Sequence, residues 1–161
     1  MIYKKERCCA VTGHRTLSAD FDERILKKVF KKLIENGYNT FFIGMAMGFD
    51  TACFNILETL RAGNGDIKLI ACIPCATQSN KFFPAQKAEY ERMLSVADEK
   101  VYISEKYTPY CMFKRNMFMV DNSVILVAYL SAGVKKGGTF NTVNYAKKKG
   151  IPIINVAELK G

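Results

Sequence analysis

Val11-Thr12-Gly13-His14-Arg15, Gly44-Met45-Ala46-Met47-Gly48-Phe49-Asp50 and Lys136-Gly137-Gly138-Thr139 each follow a run of strand-forming apolar residues, and each precedes a helical pattern. A strand that passes to a helix through glycine leaves backbone N–H groups unpaired at the helix start, where the helix dipole also favours negative charge. One such turn serves ordinary chain reversal. Three of them in 161 residues predict converging rims of a single phosphate-binding pocket.

Outward from these turns the chain alternates strand and helix. Strands are predicted at 7–12, 40–43, 67–73, 100–104, 124–129 and 151–156, where apolar residues run nearly without interruption, as in a parallel sheet covered on both faces. The first helix is expected to open at Ser18-Ala19-Asp20 and to end at Gly37, with Leu26, Val29, Phe30, Leu33 and Ile34 on its apolar side and Lys27, Lys28, Lys31 and Lys32 on a solvated face. Further helices are expected from Asp50 to about residue 61, over 84–97 with Pro84 in the first turn, over 111–120, and from the Gly137-Gly138 turn to 149. The pattern predicts one α/β domain over 1–161: a single open, mostly parallel Rossmann-like sheet of about six strands with helices on both faces. The ligand crevice should lie at the carboxyl ends of its strands.

Bulk composition narrows the partners. The net charge of +9 comes mostly from lysine, a mobile and well-hydrated charge that keeps surfaces soluble, rather than from arginine, which marks fixed phosphate contacts. A positive field still concentrates an anionic ligand or a nucleic acid near the surface. No apolar run reaches the length of a membrane span, and the start of the chain carries no signal-peptide pattern, so a cytoplasmic protein is expected, with no membrane partner and with reduced cysteines. Cys72-Ile73-Pro74-Cys75 has the spacing of a dithiol or half a zinc site, but Cys53, Cys111 and the lone His14 are scattered. No metal site is therefore expected, and any role of Cys72 and Cys75 stays open.

The ligand-binding residues follow from the turns. Thr12, Gly13, His14 and Arg15 end the first strand, so that a hydroxyl, backbone amides and a guanidinium can face one anion. His14 reads more readily as a hydrogen-bonding turn residue than as a general base. Gly44 and Gly48 let the second turn approach a ligand, and Asp50 either caps the following helix or meets a ribose. Gly137, Gly138, Thr139 and Thr142 form the strongest phosphate seat, with two glycines exposing amides and two hydroxyls on the first helical turn. The Gly-Lys-Ser/Thr ending of a Walker loop is missing, which argues against ATP hydrolysis of that kind.

Taken with Ile73-Pro74 and Gln78, with Arg115-Asn116 followed by Asp121, and with Tyr145-Ala146 after the third glycine turn, these motifs resemble the YpsA-like branch of the SLOG superfamily over nearly the whole chain. That superfamily also contains DprA and the LOG phosphoribohydrolases. The resemblance implies a Rossmann-like fold and a nucleotide-derived ligand surrounded by Gly13, Arg15, Gly44, Gly48, Asp50, Arg115, Asn116, Gly138 and Thr139, in a sensor or regulator more than a defined enzyme. LOG enzymes carry an acid in the helix after their glycine turn, whereas residues 138–149 hold no Asp or Glu. The expected function is therefore binding of a small-molecule nucleotide ligand without a required cofactor. Single-stranded nucleic-acid binding as in DprA is the second reading. A nucleotide N-glycosidase is the third, in which Asp50, Glu58 or Asp121 would have to replace the missing acid. A homo-oligomer is left open.

Overall fold

The computed structural model describes residues 3–160. Six strands, β1 (Cys8–Gly13), β2 (Thr40–Ile43), β3 (Lys68–Ile73), β4 (Glu99–Tyr102), β5 (Ile125–Tyr129) and β6 (Ile153–Asn155), form one sheet in the order β4-β3-β2-β1-β5-β6, and every pairing is parallel. Helices α1 (Glu23–Glu35), α2 (Phe49–Ala62), α3 (Pro84–Val96), α4 (Cys111–Asp121) and α5 (Gly138–Lys148) connect them. Short 3-10 turns occupy Lys5–Arg7 and Val156–Glu158.

Alternation along each strand decides which helices cover which face. Cys9 and Val11 of β1 point into a core shared with Leu26 and Phe30 of α1, Phe49 and Phe54 of α2 and Tyr90 of α3. Cys8 and Ala10 point the other way, against Met119 of α4 and Val143 and Ala146 of α5. β1 must be apolar on both sides, which explains its unbroken run. The edge strand β4 alternates half-buried and exposed residues, as expected where solvent covers one side.

Two predicted elements start elsewhere. Helix α1 opens at Glu23 because Asp22, not Ser18-Ala19-Asp20, is the N-cap: its Oδ1 accepts the Arg24 amide at 2.9 Å. Asp20 instead accepts the Tyr129 hydroxyl at 2.5 Å, and that hydroxyl accepts the Ser18 amide at 3.1 Å. The turn at Gly13 thus leads into an irregular segment pinned to the end of β5 rather than directly into a helix. Helix α2 is likewise capped by Gly48, with Asp50 inside its first turn.

Phe49, fully buried, packs at 5.8 Å from the Tyr129 ring and edge-on to Phe21 at 6.1 Å. A Cβ added at Gly13 would lie 2.4 Å from the Phe49 ring, so glycine ends β1 because α2 leaves no room for a side chain. Gly13→Ala should destabilise the fold by about 1–3 kcal/mol through overpacking, and Phe49→Leu in the same chain should recover part of that loss. Urea unfolding of the single and double variants checks this, and a neutral Gly13→Ala would contradict the packing account.

Candidate functional site

The chain leaves β1 for β2, β3 and β4 on one side and reaches β5 and β6 on the other, so the strand order reverses between β1 and β5. Loops that leave neighbouring strands in opposite directions open a crevice at their carboxyl ends. There a cleft of about 370 Å³ is lined by Thr12, Gly13, His14 and Arg15 after β1, Ala46 and Asp50 after β2, Met112, Arg115 and Asn116 on α4, and Lys136, Gly137, Gly138 and Thr139 before and within α5. All three glycine turns border this region, but they contribute differently.

The turn after β2 is braced by side chains. Arg115, 5% exposed, donates from Nη1 to the Gly44 carbonyl and to the Cys72 carbonyl at 3.3 Å. Gln78 Nε2 donates to the same Gly44 oxygen at 2.9 Å, and the Tyr90 hydroxyl donates to Gln78 Oε1 at 3.1 Å. One residue further, Met45 adopts φ 64°, a left-handed conformation that costs an L-residue roughly 1–2 kcal/mol. Asp50 Oδ2 then accepts the Ala46 amide at 3.0 Å, so both flanks of the strained residue are held.

This bracing extends across the cleft. Arg115 Nε donates to Asn116 Oδ1 at 2.8 Å, Asn116 Nδ2 donates to the Thr142 hydroxyl at 2.9 Å, and Thr142 donates to the Gly138 carbonyl at 2.8 Å. Four side-chain hydrogen bonds in series thus join the turn after β2 to the start of α5. A Cβ at Gly44 would sit 2.7 Å from the Arg115 guanidinium carbon. One at Gly48, whose φ is 76°, would sit 2.2 Å from the Arg15 carbonyl oxygen. In the structure Gly44 and Gly48 admit protein rather than line this cleft, and Thr142 is fully buried with its hydroxyl engaged on both sides. The sequence signal was present at each glycine, but its cause lies in partners distant along the chain.

The start of α5 is different. Gly137, at φ 99°, is its N-cap and supplies no side-chain bond. Among the described residues, the amides of Gly138, Thr139 and Phe140 have no acceptor, and the first engaged amide is that of Asn141, to the Gly137 carbonyl at 3.0 Å. These are orphan donors at the positive end of a helix dipole, beside a cleft that Arg15 and Lys136 also line. Arg15 is exposed, and its Nη2 contacts Met112 Sδ at 3.3 Å. His14 is fixed, with Nε2 accepting the Ser131 amide at 2.9 Å and its ring edge-on to Tyr129.

The acids separate widely. Glu58 pairs with Arg92 at 3.0 Å on the outer surface of α2 and α3. Asp121 accepts the Tyr145 hydroxyl at 2.7 Å and pairs with Lys149 at 3.4 Å at the far end of α4. Neither lines the cleft. Among the described residues no group of three or more His, Cys, Asp or Glu is placed to hold a metal, and burial pushes the Cys72 thiol up to about 12. No helix among the described residues is long and apolar enough to cross a membrane.

Burial pushes the Asp50 carboxyl up to about 6, against the opposing pull of Arg115, the Ala46 amide and Arg15. Burial likewise draws the Arg115 guanidinium below its usual value, with Asp50 opposing. A carboxyl with a folded-state pKa above the unfolded value of 3.8 contributes stability below that lower value and loses it as pH rises through about 6. Relative to Asp50→Asn, the wild type should therefore lose stability between pH 4 and pH 7, by up to about 3 kcal/mol. Urea midpoints measured across that range check it; a pH-independent difference would contradict the placement of Asp50.

Comparison with known proteins agrees with this architecture. The family model described as the YspA SLOG family matches residues 9–158. YoqJ, an SPbeta prophage-derived protein of Bacillus subtilis strain 168, is 36% identical over 137 residues, covering 76% of this chain and 78% of its own. DNA processing protein A (DprA) of Streptococcus pneumoniae superposes with a TM-score of 0.65 at 21% identity, over 92% of this chain and 50% of that one. DprA of Helicobacter pylori, solved for its single-stranded DNA binding mode, gives 0.66 at 18% identity, over 92% of this chain and 64% of that one. This chain therefore spans less than two thirds of either DprA, and that likeness is one of fold. With the family match running from β1 to the last 3-10 turn, the chain belongs to the YpsA-type SLOG family.

Proposed function

We propose that this protein binds a nucleotide or nucleotide-derived ligand, seating its phosphate on the start of α5. The observation that carries this reading is the set of three orphan amides at Gly138, Thr139 and Phe140, beside a cleft that the exposed Arg15 also lines. Such donors complement a phosphate and gain from the helix dipole. The cleft volume of about 370 Å³ falls within the range of small-ligand sites.

The role is that of a cytoplasmic sensor or regulator. Asp50 is the one acid lining the cleft among the described residues, and one of its oxygens already holds the Ala46 amide. A hydrolytic reading would rest on that carboxyl alone. Single-stranded nucleic acid is the second reading, favoured by the net charge of +9 and by the DprA-like fold. A strand would bind with affinity falling steeply as salt rises.

Gly138→Pro tests the phosphate seat directly. Proline is favoured at the first helical position and removes one of the orphan donors, while a Cβ at Gly138 meets nothing within 4 Å. The variant should keep its thermal stability and bind pyrophosphate about tenfold more weakly by calorimetry. Glu58→Gln, on the outer surface, should bind as the wild type does. Equal affinity in Gly138→Pro and wild type would overturn the assignment.

A further inference from the structure

Beside the switch-point cleft lies a second compartment of about 540 Å³, lined among others by Gln78, Asn80, Phe82 and Tyr107. The two share three residues, Arg15, Ala46 and Met112, so they are neighbouring rooms with a common wall. The wall's outer part is the contact of Arg15 Nη2 with Met112 Sδ at 3.3 Å, made by two flexible side chains. A sulfur acceptor holds a guanidinium weakly, so a phosphate in the first cleft can draw Arg15 away and join the rooms.

The second compartment lacks the Gly137-Gly138-Thr139 helix start that lines the first. Beside the shared Arg15 and Met112 and the exposed Lys81, its lining adds aromatic faces and amide groups. Phe82 is fixed edge-on to Tyr90 at 5.6 Å between centroids, whereas Tyr107 is 65% exposed. A large aromatic left this exposed, lining the same compartment as a second, anchored one, offers a stacking surface for a planar ring. The Gln78 amide uses one N–H on Gly44 and one lone pair on Tyr90, which leaves one donor and one acceptor. The Asn80 side chain, also exposed, has no partner among the described residues. Planar faces with adjacent amide edges suit a nitrogenous heterocycle, which stacks and presents both donors and acceptors.

We propose that the two compartments form one bipartite site, in which the ligand's phosphate lies against α5 and its base crosses the Arg15–Met112 wall to stack on Phe82 and Tyr107. The ligand class is then a nucleoside phosphate rather than a sugar phosphate or an inorganic anion. This inference rests on the phosphate seat proposed above and adds a second, independent half to it. Gln78 gives the two halves a structural link, because the residue that braces the turn after β2 also lines the base compartment. Occupancy of the compartment can thus be felt at Gly44 and, through Arg115, Asn116 and Thr142, at the start of α5.

Calorimetry on the full chain with ribose 5-phosphate and with AMP, GMP, CMP and UMP separates the halves. At least one nucleoside monophosphate should bind about tenfold or more tightly than ribose 5-phosphate, the scale expected of one stacked base. Phe82→Ala should remove that gain while leaving ribose 5-phosphate affinity unchanged. Because Phe82 also packs on Tyr90, Tyr107→Ala and Asn80→Ala provide exposed variants that keep the test valid should Phe82→Ala misfold. Equal affinities for ribose 5-phosphate and all four nucleotides, or variants that weaken both probes alike, would overturn the bipartite site and leave the phosphate seat standing. No binding by any probe would overturn the phosphate seat and this inference with it.

Discussion

The organisation of the cleft depends on one buried guanidinium. Arg115 reaches from α4 beneath the sheet's carboxyl edge and holds the turn after β2 by its carbonyl, the end of β3 by another, and the start of α5 through Asn116 and Thr142. A buried charge is costly unless its donors are engaged and an opposite charge lies near. Asp50 supplies that charge, and Arg115 in turn favours its ionised form, although burial of the carboxyl dominates. Pairs of this kind add little net stability, but they fix geometry, because any loop that moves leaves a charge without its partner.

The left-handed Met45 shows what this fixing achieves. An L-residue persists at φ 64° only where neighbours over-determine it, and here Arg115 and Gln78 hold the carbonyl before it while Asp50 holds the amide after it. The turn is rigid, and its glycines serve that rigidity by admitting Arg115 and the Arg15 backbone. The start of α5 is rigid in its frame but open in its donors. The glycines of the two turns thus meet different surroundings: protein at Gly44 and Gly48, and open space at Gly137 and Gly138.

The fold was largely legible in the sequence because each strand is covered on both faces, so that apolar runs such as those of β1 and β5 stand out, and because the helices between them keep a clear amphipathic spacing. The start of α1 was not. Ser18-Ala19-Asp20 has the composition of a cap, but Tyr129, more than a hundred residues away, claims Asp20 and leaves Asp22 to do the capping. The expected site residues divide by the same cause. Thr139 and Arg15 line the cleft as their local pattern implies, whereas Thr142 is consumed by Asn116, and Gly44 and Gly48 by close approaches from Arg115 and Arg15. Arg115 itself reads along the chain as an ordinary polar position of α4, and only the family resemblance marked it. Of the second compartment the resemblance marked Gln78, whereas Phe82 and Tyr107 lie on separate loops that meet only in the fold.

The central claim is that the open donors at the start of α5 receive an anion, and amide chemical shifts report on those donors one by one. In a 15N-labelled protein titrated with pyrophosphate at constant ionic strength, the largest saturable shifts are expected at Gly138, Thr139 and Phe140, with smaller ones at Gly13 to Arg15. Shifts that are absent, that fail to saturate, or that centre on the lysine-rich face of α1 would contradict it.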